Sequence, residues 1–476
     1  MILTLDLGTS ATKATLWSPE GRLAGASAAL VTRHPAPGWC EQDGPAPWAS
    51  VLEAVSGLAG ADLGSVTALG LTGARESFVA CSGGGRALGP VVLWSDQRAG
   101  TEAAELAGEL GGLEQARSRT GQVMGPGSTA AKLRWLARAQ PGLLASARWL
   151  LAPRDLVGLR LTGRAATDAT MASRTGLYEL ATGRLVAEAA GPVADKLPPV
   201  LGPGEVAGEL VPGAAREMGL APGLPVVLAG GVRACEVVGT GAGPSRPMVS
   251  WGTTANVSVP APHLPPRLPR GLLASRSATG GFLYEAGLSA AGGALAWLAG
   301  LCGTSPAALE EEAEDSPVGA RGVVWLPWLH GARAPWWTPH ASASILGLRP
   351  SHRRGCLARA LFEAVALDVA RSLEAAGLDH VPGVELAAAG GGSASQLWLG
   401  CLAGATGRPV SVRACPEGAS AGAALLAARA CGQSWELERL NPVSGRVHPD
   451  PTEQQAWAVV RAASDQAAAQ ALGLRR

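Results

Sequence analysis

The chain has few lysines, and this scarcity makes each of them informative. Of 476 residues, only Lys13, Lys132 and Lys196 are lysines, whereas arginine, alanine, glycine and proline are abundant. This bias is typical of a GC-rich genome rather than of a particular chemistry. A lysine inside a motif is therefore a stronger signal here than in an average sequence.

The sequence also lacks a large excess of charge of one sign and long apolar runs. The net charge is +1, which excludes the electrostatic footprint of a nucleic-acid-binding or anionic-membrane-binding protein. No run of 18 or more apolar residues occurs, and the N-terminus reaches Asp6 before a signal-like run can form. The sequence predicts a cytoplasmic protein with neither nucleic acid nor membrane as a partner.

Several chemical motifs are absent. The eight cysteines are scattered without a CxxC pair and the seven histidines form no HExxH, so the sequence argues against a zinc site and predicts free thiols. GxxxxGK[ST] does not occur either, which excludes a P-loop nucleotide site.

What is present predicts a two-domain α/β protein. Hydrophobic residues make up 47% and charged residues 16% of a chain too long for one hydrophobic core. A strand, a Gly/Thr/Ser turn and a second strand open the chain, and a third strand follows shortly afterwards. A similar hairpin recurs from Met248 to Val259. Two such hairpins, each opening one half of the chain, predict two related domains that face a shared cleft.

Helices and further strands are predicted between and after the hairpins. Apolar spacing indicates helices at Thr101 to Leu110, Ser128 to Arg138, Asp155 to Leu161 and Leu357 to Glu374. Buried strands are expected at Ser65 to Leu71, Pro90 to Leu93, Pro225 to Ala229 and Val384 to Ala389. The fold class is therefore α/β, with a mixed sheet covered by helices in each domain.

The first hairpin turn has the composition of a phosphate site. Gly8, Thr9 and Ser10 can direct backbone N–H and side-chain O–H groups at phosphate oxygens. Asp6 at the strand end can hold Mg²⁺ through water, and Lys13 can reach a transferring phosphate. Taken alone, the segment fits a polar hairpin turn without a ligand equally well.

Two further turns have similar chemistry. The second comprises Gly252, Thr253 and Thr254 within the second hairpin. The third follows a predicted strand and opens a helix, so its backbone can approach a nucleotide closely; it comprises Gly390, Gly391, Gly392, Ser393 and Gln396. Each turn is weak evidence alone, but three in order across two half-chains are stronger.

Together these motifs resemble the FGGY carbohydrate kinases, a family of the actin-like and hexokinase-like superfamily. Asp6 to Lys13, Ser250 to Thr254 and Gly390 to Gln396 are similar to its two phosphate motifs and its adenosine motif. Four further segments resemble family segments in the right order, namely Pro90 to Arg98, Leu151 to Asp168, Trp328 to Leu348 and Glu417 to Ala427.

The resemblance implies two actin-like, ribonuclease H-like domains around an interdomain cleft. Residues 1–243 would form the sugar-binding domain with the first phosphate motif, and residues 244–476 the nucleotide-binding domain. ATP and Mg²⁺ are the implied co-substrate and metal. The implied activity is ATP-dependent phosphorylation of a small sugar or polyol, first of all a pentulose such as D-xylulose, with glycerol or another polyol as alternatives. A homodimer is left open.

Substrate contacts also follow from the resemblance. Arg75 and Glu76 look like the pair that binds substrate hydroxyls in the glycerol kinase branch, although a surface ion pair is an alternative. Trp94 and Asp96 lie in the segment that resembles the family's substrate segment, and Asp96 stands where pentulose kinases have theirs. The substrate signals are thus mixed.

The sequence differs from the family pattern at the position of the general base. In the family, an Asp seven residues before a helical glycine takes the proton from the sugar hydroxyl. Counting back from Gly239 places Val232 at that position, and a shift by one residue gives Arg233. Neither side chain can accept a proton. General-base assistance is worth about 10²- to 10⁴-fold in rate, so such a kinase is expected to be slow.

Glu236 is the visible substitute, because it follows Val232 by about one helical turn. An ordinary first-turn acid favoured by the helix dipole is the alternative interpretation. Three hypotheses therefore stay open: a working kinase that uses Glu236 or no strict base, a pseudokinase that binds sugar, nucleotide or a partner, and altered chemistry on the same scaffold.

Overall fold

The computed structural model describes residues 1–379 and 381–473, which form two large mixed sheets, each covered by helices, and four two-stranded sheets. The first half of the chain supplies twelve strands, listed in chain order: β1 Ile2–Leu7, β2 Ala11–Ser18, β3 Gly21–Ala29, β4 Glu41–Gln42, β5 Ala68–Gly73, β6 Val79–Cys81, β7 Val91–Val92, β8 Trp149–Leu151, β9 Thr167–Asp168, β10 Val200–Leu201, β11 Glu205–Glu209 and β12 Pro225–Gly231. Its helices are α1 Ala46–Ser56, α2 Gly100–Glu109, α3 Leu113–Thr120, α4 Thr129–Ala139, α5 Pro141–Ser146, α6 Pro153–Thr162, α7 Ala169–Ala172, α8 Ala187–Ala190, α9 Pro212–Met218 and α10 Val232–Thr240.

The second half of the chain is likewise built of strands and helices. Its strands are β13 Met248–Trp251, β14 Ala255–Ala261, β15 Leu273–Arg276, β16 Phe282–Gly287, β17 Val324–Leu326, β18 Ser344–Leu346, β19 Leu386–Gly390, β20 Val410–Arg413 and β21 Val443–Val447. Its helices are α11 Gly292–Leu301, α12 Pro306–Glu314, α13 Arg354–Ala375, α14 Gln396–Thr406, α15 Gly418–Ala430, α16 Leu437–Leu440 and α17 Gln454–Ala471.

The two large sheets share one topology. The first has the order β3-β2-β1-β5-β12-β11, in which β1 and β2 form a hairpin and β5 and β12 run parallel to β1. The second has the order β16-β14-β13-β19-β20-β21, with β15 added beyond β16. There β13 and β14 form the hairpin, and β19 and β20 run parallel to β13. Both predicted hairpins and the predicted two-domain α/β class are confirmed.

The central strands are buried because helices cover the sheets. Every residue of β1 except Asp6 is buried, and all six residues of β5 are buried. A strand covered on both faces reads as a continuous apolar run rather than as an alternation. The predicted boundary between residues 243 and 244 falls in the connection between α10 and β13 and remains a prediction.

Two helices cross where the halves meet. In α15, the residues Ala421 and Ala424 pack in one cluster with Ile2 and Ala68 of the first sheet. In α10, Ala234 shares a cluster with residues of the second sheet. Each helix thus contacts the sheet of the other half, which ties the two domains together at the base of the cleft.

Candidate active site

A cavity of about 240 Å³ lies between the domains at the carboxyl ends of the parallel strands of the first sheet. Thr9 follows β1, Ala74 follows β5 and Val232 follows β12. Ligands of open α/β sheets bind at this edge, because the loops that leave the strand ends converge there. The cavity brings together six of the predicted positions, namely Thr9, Arg75, Glu76, Trp94, Val232 and Thr254.

The first predicted phosphate turn connects β1 and β2. Gly8 N–H donates to the carbonyl of Ala11 at 3.0 Å, and a Cβ at Gly8 would come within 2.8 Å of that oxygen. Thr9 Oγ1 accepts a hydrogen bond from the indole of Trp94 at 3.0 Å. Ser10 is exposed. The tight turn therefore presents the hydroxyl of Thr9 to the cavity beside Trp94.

Lys13 lies on β2 with an exposed side chain. Its ammonium is 3.6 Å from Glu417 Oε1, at the start of α15. Glu417 is shared with Arg22, whose Nε lies 3.3 Å from Oε2. An exposed ion pair at this distance is weak, so the Lys13 ammonium can exchange this carboxylate for a phosphate.

Asp6 fits a metal held through water. Its Oδ1 is buried and has no hydrogen-bond partner. Burial raises the pKa of Asp6 to about 6; Lys13 counteracts this, and the carboxylates of Glu236 and Glu417 add to it. Residues 1–379 and 381–473 contain no cluster of three or more His, Cys, Asp or Glu that could hold a metal. Mg²⁺ in kinases needs only one or two carboxylates besides phosphates and waters, so a single orphaned carboxylate fits it.

The second and third predicted turns lie against each other. Gly252 N–H donates to the carbonyl of Thr254 at 3.0 Å. Gly390 has φ +75°, and a Cβ there would come within 2.3 Å of the carbonyl of Trp251. A Cβ at Gly392 would lie 2.5 Å from the Cβ of Trp251. Only glycine permits this close approach of the two turns.

The third turn opens α14. The hydroxyl of Ser393 donates to the carbonyl of Gly390 at 2.7 Å, and Ser395 caps the helix by accepting from Trp398 N–H at 3.0 Å. Gly391 and Gln396 are exposed. The structure therefore brings the second and third turns together beside the cleft, with backbone available to a ligand.

Arg75 pairs across the domains rather than with Glu76. Its Nη1 and Nη2 donate to the two carboxylate oxygens of Glu285, on β16, at 2.8 and 2.7 Å. Ser275 donates to the same carboxylate at 2.6 Å. Burial alone would raise the pKa of Glu285, but the guanidinium groups of Arg75 and Arg174 hold it well below its usual value.

Glu76 is held by residues that the motifs did not indicate. Arg174 Nε donates to Glu76 Oε1 at 2.7 Å, and Lys132 donates to the Glu76 carbonyl at 2.9 Å and to the Leu93 carbonyl at 2.7 Å. Glu76 has φ +66°, a left-handed conformation that these bonds maintain. Burial lowers the pKa of Lys132 to about 8. The surface ion pair considered for Arg75 and Glu76 is thus replaced by a largely buried network, in which Arg75 binds Glu285, Arg174 binds Glu76, and Arg174 Nη1 also lies 3.6 Å from Glu285 Oε1.

Asp96 is not brought to the cavity. It has no exposed surface, and its carboxylate accepts from Arg98 Nε at 2.9 Å, from Arg98 Nη2 at 2.8 Å and from Cys40 N–H at 2.6 Å. Trp94, two residues earlier, is 39% exposed and lines the cavity. Asp96 therefore fixes the segment that carries Trp94.

Val232 begins α10 and lines the cavity, whereas Glu236 is not among the residues that line it. Glu236 is 7% exposed, and both of its carboxylate oxygens are engaged. Ser250 donates to Oε1 at 2.8 Å, and Arg233 Nη1 donates to Oε2 at 2.5 Å. The geometry thus favours a helix acid that fixes Arg233 over a substitute general base.

Comparison with known proteins agrees with this arrangement. The chain belongs to the FGGY family of carbohydrate kinases: residues 1–239 match the family's N-terminal domain and residues 248–431 match its C-terminal domain. It is accordingly a sugar or polyol kinase of the two-domain α/β type, and ATP is the co-substrate that this family implies.

Individual relatives come from two branches of the family. The chain is 31% identical to the xylulose kinase of Escherichia coli over 93% of its length and 92% of the relative's. It is 31% identical to the glycerol kinase of Trichlorobacter lovleyi over 92% of both chains. The crystal structure of a xylulose kinase from Rhodospirillum rubrum superposes with a TM-score of 0.87, covers 98% of both chains and is 29% identical. None of the helices within residues 1–379 and 381–473 combines the length and apolar content needed to cross a membrane.

Proposed function

We propose that this chain transfers the γ-phosphoryl group of ATP to a hydroxyl of a small sugar or polyol bound in the 240 Å³ cavity. The observation that supports this most strongly is that Thr9 of the first phosphate turn and Thr254 of the second line the same cavity as Arg75 and Glu76. A phosphoryl donor held by the turns would thus lie beside an acceptor held by polar side chains. A pentulose such as D-xylulose is the first candidate, and glycerol or another polyol the alternative.

Different residues of the chain would have different roles in the transfer. The backbone of Gly8 to Ser10 and of Gly252 to Thr254 would bind the phosphates, and the Gly390 to Ser393 turn would lie under the adenosine. Asp6 would hold Mg²⁺ through water, and this ion neutralises charge on the phosphates when it is bound. Lys13 would exchange Glu417 for a phosphate oxygen as the transfer proceeds.

Removal of the proton from the acceptor hydroxyl is the step for which the site offers no free side-chain base. The residue at the family's base position is Val232, and the carboxylate of Glu236 is already bonded to Ser250 and Arg233. Phosphoryl transfer passes through a loose transition state, so positioning and charge neutralisation supply much of the rate. We infer that the enzyme works without a strict side-chain base and turns over slowly.

Contact between the domains would protect the reaction from water. The bidentate pair of Arg75 with Glu285 joins the segment after β5 of the first domain to β16 of the second at the cavity wall. A closed cleft excludes water and limits wasteful ATP hydrolysis.

The test is ADP release with Mg²⁺-ATP against a panel of pentuloses, hexuloses and polyols that includes D-xylulose and glycerol. We expect one acceptor to raise ADP release clearly above the rate without sugar, and Lys13→Met to abolish that increase. A flat panel, with nucleotide binding verified on the same sample, would contradict the proposal.

The second candidate function is that of a pseudokinase, which the loss of a proton acceptor at Val232 favours. In that case sugar or nucleotide would bind without transfer of phosphate. Any stoichiometric sugar phosphate would exclude the pseudokinase, whereas binding without product would select it over the kinase.

A further inference from the structure

Arg233 lies next to Val232 and lines the same 240 Å³ cavity. An adjoining cavity of about 770 Å³ shares Glu76 and Trp94 with the smaller one, whereas Thr9, Val232 and Arg233 line only the smaller cavity. Arg233 therefore lies with the first phosphate turn and with the family's base position, where the phosphoryl group would move, and not with the wider acceptor side.

A chain of two hydrogen bonds fixes the Arg233 side chain. Its Nη1 donates to Glu236 Oε2 at 2.5 Å, and the hydroxyl of Ser250 donates to Glu236 Oε1 at 2.8 Å. Glu236 and Ser250 are buried, at 7% and 3% exposure. Ser250 ends two residues before Gly252, the first glycine of the second phosphate turn. The carboxylate of Glu236 thus positions the guanidinium of Arg233 relative to that turn.

The bond to Glu236 leaves most of the guanidinium unused. An arginine carries N–H donors on Nε, Nη1 and Nη2 and has no acceptor. Among residues 1–379 and 381–473, only Nη1 of Arg233 has a hydrogen-bond partner. The side chain is 22% exposed and lines the cavity, so the donors on Nε and Nη2 are available to a ligand there.

Phosphoryl transfer places negative charge where such donors are useful. The acceptor oxygen forms a bond to the γ-phosphorus while the bond from that phosphorus to the β–γ bridging oxygen breaks and ADP leaves. Without a side-chain base, the hydroxyl proton passes to an oxygen of the phosphoryl group and then to water. Charge is spread over the three equatorial oxygens of this group during the transfer. Donors that are already in position stabilise that charge without having to reorganise.

We propose that Arg233 is a catalytic residue that binds the equatorial oxygens of the transferring phosphoryl group, and that Glu236 positions it for this contact. The proposal rests on the proposed function, because it concerns the transfer step of that kinase. Arginines in this role are worth about 10³- to 10⁵-fold in kcat in other phosphoryl-transfer enzymes. Arg233 would thus supply by charge neutralisation part of the rate that Val232 cannot supply by proton removal.

Steady-state ADP release with the best acceptor tests the role of Arg233. Arg233→Met should lower kcat about 10²- to 10³-fold, as the loss of one positioned donor does, while the KM values for ATP and acceptor stay within a fewfold. Arg233→Lys keeps the charge without the fork and should lose less. Arg267→Met removes an exposed arginine from the loop between β14 and β15 and should leave kcat unchanged.

A double variant separates catalysis from a structural effect. In Arg233→Met the buried carboxylate of Glu236 keeps only Ser250 as a partner, and its uncompensated charge would itself disturb the site. Arg233→Met/Glu236→Gln removes that charge. We expect kcat of the double variant to stay as low as that of Arg233→Met. Recovery toward the wild-type rate would show that Arg233 merely neutralises Glu236, and would overturn the proposal.

A transition-state mimic tests the contact without turnover. ADP, aluminium fluoride and Mg²⁺ together imitate the transferring phosphoryl group, and such mimics bind through the contacts that the transition state makes. Calorimetry on the full chain with D-xylulose or glycerol present compares this complex with ADP alone. Arg233→Met should weaken the fluoride complex about 10²- to 10³-fold and ADP alone by no more than a fewfold. Equal weakening of both would assign Arg233 to nucleotide binding and overturn the proposal.

The outcomes distinguish this proposal from the proposed function. If sugar is phosphorylated and Arg233→Met keeps kcat within a fewfold, or raises only the KM for the acceptor, the phosphoryl contact is wrong while the kinase stands. If the wild type transfers no phosphate, a selective loss of the fluoride complex in Arg233→Met supports the contact while the kinase activity fails. A wild type that binds ADP no more tightly with aluminium fluoride than without it would also overturn the proposal.

Discussion

Val232 lines the cavity at the position where the family motif predicts a proton acceptor. It is the first residue of α10, directly after β12, and it lines the cavity together with Thr9 and Thr254. Its side chain can shape the site but cannot take a proton. Proton removal by a side chain at this position would therefore require that Val232 be replaced by a residue with a carboxylate.

We predict that Val232→Asp raises kcat by about 10²- to 10⁴-fold, because that is the usual contribution of a positioned general base. Steady-state ADP release with the best acceptor measures it. Val232→Asn is the matched control, since it has nearly the same shape without a basic oxygen. An equal gain in both variants, or in neither, would show that proton removal at position 232 does not limit the rate.

We predict that Glu236→Gln keeps turnover within a fewfold of the wild type. Neither oxygen of this carboxylate is free to accept a proton from a substrate, since one accepts a hydrogen bond from Ser250 and the other from Arg233. Steady-state ADP release tests this prediction. Abolished turnover with unchanged nucleotide affinity would identify Glu236 as the base.

At this scale the sequence could predict motif residues but not their partners. Thr9, Arg75 and Thr254 lie in one cavity as the motifs indicate, whereas Asp96 is turned inward by Arg98. Glu285 lies 210 residues from Arg75, and no local pattern links the two. Such long-range pairing depends on how the sheets pack, and a single sequence has no local pattern from which that packing can be predicted.

The crossing of α10 and α15 is the element-level feature on which the cleft depends. A Cβ at Gly239 would lie 1.9 Å from the carbonyl oxygen of Gly418, and a Cβ at Gly422 would lie 1.8 Å from that of Cys235. Both contacts are with backbone, which cannot move aside as a flexible side chain can. The helices can approach this closely only because both positions are glycine.

We predict that Gly239→Ala lowers the free energy of unfolding by about 1 to 3 kcal/mol or more, as overpacking does. Gly400→Ala in α14 is the matched control, because a Cβ there meets nothing within 4 Å and alanine favours a helix by about 0.8 to 1 kcal/mol. Urea denaturation of both variants gives the comparison. Equal stability of the two would mean that the helices do not cross in contact.

Elements with a strong local pattern were predictable, and short ones were not. The spacing that predicts a helix at Leu357 to Glu374 corresponds to α13, Arg354–Ala375, and the predicted hairpins correspond to β1 with β2 and β13 with β14. The strands β15 and β16, which carry Ser275 and its partner Glu285, have four and six residues and lie among glycines and prolines. Such runs become strands only through pairing, of β16 with β14 and of β15 with β16, which is a tertiary effect.

At the scale of the whole molecule, the pair of Arg75 with Glu285 joins the two domains. Both side chains are largely buried, at 11% and 1% exposure. Removal of one partner of a buried pair leaves an uncompensated charge and typically costs about 3 to 5 kcal/mol. The closed arrangement of the domains therefore rests in part on the charge of Glu285.

We predict that Glu285→Gln destabilises the protein and flattens its acid-stability profile. The pKa of Glu285 is lowered in the folded state, so its contribution to stability is fully present above about pH 4.3, the usual unfolded value. That contribution is lost as the pH falls from there through the lower folded pKa. Unfolding free energies measured from pH 7 to pH 3 test this, with Glu311→Gln on the exposed surface of α12 as the control. A profile for Glu285→Gln that parallels the wild type would contradict the role of the pair.

Under the proposed function, phosphate passes from ATP to a small hydroxyl compound in the cleft between the domains. The most direct measurement follows the label of [γ-³²P]ATP, with enzyme at stoichiometric concentration and Mg²⁺, for D-xylulose, glycerol and other pentuloses, hexuloses and polyols. We predict that the label moves slowly into a sugar phosphate for one of these acceptors, and that Val232→Asp accelerates the transfer. Label that stays in ATP while the nucleotide is demonstrably bound, or that appears only as inorganic phosphate, would contradict the claim.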